Sequence, residues 1–124
     1  PYILTVGSTV ERRNLPVLMD AMNKLNAEAR HSLVVVGRAG EAEPANWGPG
    51  VMRIEQAPKN HLAGLYQHAG LTVLPSVYEG SGVTVLEALR AGSVVVCGRV
   101  GGVAEVAHNA PLYFNPENSG TLVA

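Results

Sequence analysis

Six short runs of consecutive apolar residues recur along the chain, and the segments between several of them bring apolar residues back every three or four positions. The runs are residues 2–7 (YILTVG), 32–37 (SLVVVG), 51–55 (VMRIE), 71–74 (LTVL), 93–97 (SVVVC) and 112–114 (LYF). They are short, mostly rich in β-branched residues and often closed by glycine, the pattern of strands buried on both faces. Residues 14–28 put Leu15, Leu18, Met22 and Leu25 on one helical face, with Asn14 suited to cap the helix and Pro16 tolerated in its first turn. Residues 60–69, with Leu62, Leu65 and Tyr66 on one side, and residues 82–91 read as further helices. A short helix is expected around residues 103–107. Residues 38–50 (RAGEAEPANWGPG) are dense in breakers and read as a loop. This alternation predicts an α/β fold, a Rossmann-like parallel sheet with helices on both faces. Ligands of such sheets lie beyond the carboxyl ends of the strands, the edge at which Gly7, Gly37, Pro75 and Gly98 are expected.

A length of 124 residues sets a single domain over 1–124. With 47% apolar and 15% charged residues, disorder is excluded, and a net charge of −1 provides no general field for nucleic acid or an anionic membrane. Any anion must be held by local geometry. Cys97, the only cysteine, sits in an apolar run and is expected to be a buried thiol, in keeping with a reducing cytoplasm. No signal peptide and no apolar stretch long enough to span a membrane is present. His31, His61, His68 and His108 lack metal-site spacing, and Asp20 is the only aspartate, so no Asp-x-Asp pair exists to hold a diphosphate through a metal. Neither metal nor other cofactor is expected. The chain opens on Pro1-Tyr2-Ile3 and closes on Leu122-Val123-Ala124, and the expectation is a piece of a longer protein.

Candidate chemistry concentrates in residues 71–92, LTVLPSVYEGSGVTVLEALRAG. Gly80 and Gly82 let backbone approach a ligand without a Cβ in the way. The free N–H groups of residues 82–85, with the helix dipole, favour negative charge. Glu87 lies five residues beyond Gly82, about 7.5 Å along a helix at 1.5 Å per residue, and its side chain leans back towards the amino end. A carboxylate touching a phosphate would be repelled, but one displaced by that distance can accept two hydrogen bonds from a ribose diol. Glu79, in the turn, is nearer the place of a transferred sugar. A tight turn with two solvated glutamates is the plainer reading of the same residues. Thr84 either donates to the anion or caps the helix, Trp47 either lines a pocket or anchors its loop, and Glu105 either rims the site or is solvated.

PSVYEGSGVTVLEALRAG resembles the signature of the retaining nucleotide-sugar glycosyltransferases of the GT-B fold, known as group 1 or family 4. Pro75, Ser76, Glu79, Gly80, Gly82, Glu87 and Ala88 match Pro-Ser-x-x-Glu-Gly-x-Gly-x-x-x-x-Glu-Ala position by position. ILTVGSTVERRNLPVLMDAM, LVVVG, LAGLYQHAGLTVLPS and VGGVAEVA resemble the family's other elements in order. The resemblance implies the C-terminal, donor-binding half of a GT-B fold, within a two-domain enzyme that moves a sugar from a nucleoside diphosphate to an acceptor hydroxyl. Glu79 would then be the catalytic candidate beside the donor sugar. Glu87 would bind the ribose, and Gly80, Ser81, Gly82, Val83, Thr84 and Val85 would hold sugar and pyrophosphate. Arg13 aligns with the family's phosphate-facing cation, and Arg12 is the weaker candidate. The implied partners are the nucleotide sugar and an N-terminal acceptor-binding domain of the same chain, with no nucleic acid. The implied place is the cytoplasm, with attachment to the inner membrane face left open. Three positions depart from the family: Ser8 follows Gly7 where Arg is usual, Ser81 stands where Phe is usual, and Thr84 stands where Pro is often found. These keep a degenerate nucleotide-binding or scaffolding domain open as an alternative, beside a GT-B sugar epimerase or phosphorylase.

Overall fold

The computed structural model describes residues 2–10, 13–26, 31–76, 83–98 and 111–114. The elements run β1 (Tyr2–Val6), α1 (Leu15–Asn26), β2 (Ser32–Val36), β3 (Val51–Ile54), α2 (Lys59–His68), β4 (Leu71–Leu74), α3 (Val83–Arg90), β5 (Val95–Gly98) and β6 (Leu112–Phe114). All strand pairs are parallel, in the order β3-β2-β1-β4-β5-β6. This is the Rossmann-like α/β sheet expected from the alternating runs, and its strand order reverses between β1 and β4.

Alternation along each strand divides the core between two faces. Ile3, Leu33, Val35 and Val73 pack with Leu15, Leu18 and Met22 of α1. Leu4, Val34, Val36 and Leu74 point the other way, into a cluster with Tyr66 of α2 and Val85 and Ala88 of α3. Cys97 lies in that second cluster, buried and free.

The start of the fifth strand differs from the sequence expectation, for a local reason. The last strand of the β4–α3–β5 unit begins at Val95 rather than Ser93, because Ser93 closes the end of α3. Its N–H donates to the Ala88 carbonyl at 3.0 Å, and its hydroxyl meets Thr72 Oγ1 at 2.6 Å. Gly92, at φ 87°, supplies the left-handed residue that terminates that helix.

Residues 37–50 carry no helix between β2 and β3. Trp47 covers the sheet there instead, packed on the α1-side cluster with its Nε1 donating to Glu43 Oε2 at 2.7 Å. Trp47 thus fills both roles open to it: it anchors its loop, and it lines a cavity of about 400 Å³ between α1 and the starts of β2 and β3. The helix expected around residues 103–107 lies outside the described residues. Among the described residues no helix is long and apolar enough to cross a membrane, and no cluster of metal-ligating side chains occurs.

Candidate functional site at the carboxyl edge of the sheet

The carboxyl ends of β1 and β2 approach so closely that only glycine fits. Gly7 donates its N–H to the Val36 carbonyl at 2.7 Å, and Gly37 donates to Ile54 at 2.9 Å. A Cβ on Gly37 would stand 2.0 Å from the Gly7 carbonyl oxygen, and the two residues have φ of 146° and 139°. Gly7 leaves its space to Arg13: a Cβ there would meet Arg13 Cζ at 2.8 Å and Nε at 2.9 Å. The Arg13 guanidinium therefore lies over the end of β1, with its Nε shielded from solvent. Its backbone N–H closes a turn on the Val10 carbonyl at 3.0 Å.

Asn14, next in the chain, spans the point where the strand order reverses. Its Nδ2 donates to the Pro75 carbonyl at 3.0 Å, tying the loop after β1 to the exit of β4. Sequence reading took Asn14 as a helix cap; its φ of 59°, a conformation asparagine tolerates better than most residues, is what lets it make this longer connection.

Helix α3 begins at Val83, beyond β4, so its unpaired N–H groups belong to this same edge. Val83 is exposed and Thr84 half-buried. Val85 is buried in the core, which leaves its backbone alone available to a ligand. Glu87 is the fifth residue of the helix and exposed, about 6 Å along the axis from Val83 at 1.5 Å per residue. Its carboxylate adds to burial in pushing the Tyr66 hydroxyl well above the ordinary tyrosine range, burial being the larger cause. Glu79, Gly80, Ser81, Gly82, Arg12 and Glu105 lie outside the described residues. The structure thus brings Arg13 and the start of α3 to one edge, with Glu87 one turn further in.

Sequence reading missed the polar cluster beside them. Glu43 accepts from Thr9 Oγ1 at 2.7 Å, from Trp47 Nε1 at 2.7 Å and from Arg53 Nη2 at 3.0 Å and Nε at 3.1 Å. Thr9 is fully buried, and its hydroxyl also accepts the Gly40 N–H at 2.7 Å. Arg53 donates onward to the Ile54 carbonyl at 3.0 Å. The Arg53 hydrogen bonds, aided by Thr9 and Trp47 and opposed by partial burial, hold Glu43 at about 2, down from 4.5. This cluster fixes the loop of residues 38–50 to the ends of β1 and β3. The one signal in the sequence was an arginine inside an apolar strand run.

A cavity of about 570 Å³ lies elsewhere, lined by Tyr2, Leu33, Val34, Met52 and Leu65 among others, at the amino ends of β1, β2 and β3. It is mainly apolar, with no charged side chain among the described residues that line it.

A parallel sheet of this order, flanked by helices and reversing its strand order between β1 and β4, defines the Rossmann-like class of α/β domains. The family model described as Glycosyl transferases group 1 matches residues 1–124, and the chain belongs to that family. Its sheet is that of a GT-B glycosyltransferase domain. Sucrose-phosphate synthase from Thermosynechococcus elongatus superimposes with a TM-score of 0.84 at 25% identity, over 99% of this chain and 34% of that one. An α,α-trehalose-phosphate synthase (UDP-forming) from Burkholderia xenovorans, in complex with glucose-6-phosphate, gives 0.83 at 15% identity, over 98% and 34%. An E. coli structure described as trehalose-6-phosphate bound with UDP-2-fluoro glucose gives 0.80 at 12% identity, also over 98% and 34%. The last two are similar in fold alone. The chain spans about a third of the length of these structures. No curated protein sequence matches it.

Proposed function

We propose that this chain is the donor-binding domain of a retaining, cytoplasmic glycosyltransferase that moves a sugar from a nucleoside diphosphate to an acceptor hydroxyl. The observation that carries the reading is the position of the Arg13 guanidinium over Gly7, at the sheet edge from which α3 starts. In this reading the diphosphate lies between Arg13 and the N–H groups of residues 80–85, both favouring negative charge. Glu87 accepts from the ribose diol. Glu79 lies beside the donor sugar.

The domain's contribution to the reaction is electrostatic. As the bond from the anomeric carbon to the diphosphate breaks, negative charge grows on the leaving oxygen. Fixed N–H dipoles and a guanidinium stabilise that charge, each well-placed donor contributing about 3 kcal/mol in comparable sites. The acceptor hydroxyl and the groups that orient it belong, in this reading, to an N-terminal domain of a longer chain. The present chain is therefore expected to bind nucleotide without completing transfer, and turnover by the purified chain alone would contradict that assignment.

Calorimetric titration with UDP, GDP and ADP tests the donor site. The expected result is saturable binding of one of them, weakened by Glu87→Ala. Binding that is indifferent to both Glu87→Ala and Arg13→Ala would overturn the assignment of these residues. Ser8, where the family places a second arginine, favours a second reading as a scaffold that has lost its donor. Release of nucleoside diphosphate by the full-length protein distinguishes the two.

A further inference from the structure

Tyr66 carries a polar group that the fold does not use. The residue is 2% exposed, and its hydroxyl has no hydrogen-bond partner among the described residues. A buried hydroxyl without a partner destabilises a protein, and phenylalanine would fill the same space without that penalty. Its place in the fold is specific. Tyr66 projects from α2 into the cluster that holds Val85 and Ala88 of α3, the helix that also carries Glu87. The Glu87 carboxylate is near enough to add to burial in keeping the phenol protonated. A protonated phenol is a donor, and a carboxylate is an acceptor with room for several hydrogen bonds.

We infer that Tyr66 is a positioning residue for Glu87, its hydroxyl donating to the Glu87 carboxylate when that carboxylate closes on the ribose diol of a nucleotide. This rests on the donor-site reading above. In the free chain the Glu87 side chain is exposed and open to water. A bound ribose displaces that water from the outer side of the carboxylate. The Tyr66 hydroxyl then holds the inner side, fixing the angle from which both sugar hydroxyls are met.

The test compares the chain with Tyr66→Phe, titrating the nucleoside diphosphate that binds best and its 2′,3′-dideoxy analogue. Tyr66→Phe is expected to melt at the same temperature or higher, yet to bind the nucleotide about 10-fold more weakly, the effect of losing one hydrogen bond to a charged group. The dideoxy analogue, with no diol for Glu87 to grasp, is expected to bind both proteins alike. In a Glu87→Ala background Tyr66→Phe is expected to add nothing, because the two substitutions remove one interaction. Equal nucleotide affinity of the unmodified chain and Tyr66→Phe, with Glu87→Ala still weakening binding, overturns the role of Tyr66 and leaves the donor site standing. An equal loss with the dideoxy analogue, or a marked fall in melting temperature, assigns Tyr66 a structural role and also overturns it. Failure of the unmodified chain to bind any nucleotide removes the donor-site reading and this inference with it.

Discussion

Glu43→Gln is the substitution whose effect the structure specifies most closely. The carboxylate gathers donors from Thr9 after β1, Trp47 in the loop and Arg53 on β3, so one charge joins three segments. A fall from 4.5 to about 2 sets a ceiling of roughly 3 kcal/mol on what ionised Glu43 contributes, at 1.36 kcal/mol per pH unit. The side chain is 24% exposed and Arg53 17%, so solvent screens the pair. About 1–2 kcal/mol is the discounted expectation. The sign follows from the direction: a carboxyl held low in the folded state stabilises it above about pH 4.5, and that stability is lost as the pH falls towards 2. Urea unfolding of both proteins at intervals from pH 7 to pH 2 measures this. The expected difference in unfolding free energy is full at pH 7 and shrinks steadily below pH 4.5. A difference that is the same at pH 7 and pH 2.5, or absent at pH 7, would refute the assignment of this charge as the fastener of the loop.

Three further substitutions probe the packing. Gly37→Ala would drive a Cβ to 2.0 Å from the Gly7 oxygen at a φ reserved for glycine, and a loss of about 3 kcal/mol or more is expected in denaturant unfolding. Gly64→Ala, inside α2 with nothing within 4 Å of the new methyl, is expected to raise stability by about 0.5–1 kcal/mol in the same assay. Ser93→Ala strands the buried Thr72 hydroxyl and is expected to lose about 1–3 kcal/mol. Adding Thr72→Val should restore part of it in the double-mutant cycle, since a matched apolar pair leaves nothing unsatisfied.

The strands and helices were legible because burial writes a period into the sequence. The runs at residues 2–7 and 32–37 became β1 and β2, and the helical face of Leu15, Leu18 and Met22 became the buried side of α1. The candidate site was legible to the extent that its residues lie close together in sequence, as Val83, Thr84 and Glu87 do. Contacts made by unlike residues far apart were not. Glu43 in a glycine-rich loop looks solvated until β1 and β3 bring Thr9 and Arg53 to it, 34 and 10 positions away. Asn14 does stand directly before α1, but its bond to Pro75, 61 positions on, depends on the strand order and could not be read from the sequence. Tyr66 was read correctly as apolar-facing, but whether its hydroxyl finds a partner depends on what α3 presents.

Helix polarity, rather than volume, favours one edge of the sheet for a nucleoside diphosphate. The 570 Å³ cavity at the amino edge is large enough for a small ligand but is lined mainly by apolar side chains. The carboxyl end of α2 points to that edge. Its Leu65 carbonyl accepts from Tyr2 Oη at 2.6 Å, tying α2 to the start of β1, and from the Ala69 N–H at 3.1 Å, which caps the helix. Helix carboxyl ends carry partial negative charge, so an anion placed there would be repelled by the backbone. At the opposite edge the polarity reverses: α3 presents its amino end, Arg13 lies over β1, and Glu43 of the loop after β2 is paired with Arg53. A chain that crosses a parallel sheet through helices sets this polarity automatically, since each helix must start where a strand ends. What the sequence adds is the choice of small residues at Gly7 and Gly37, which clear the edge, and of Arg13 to occupy the space that Gly7 leaves.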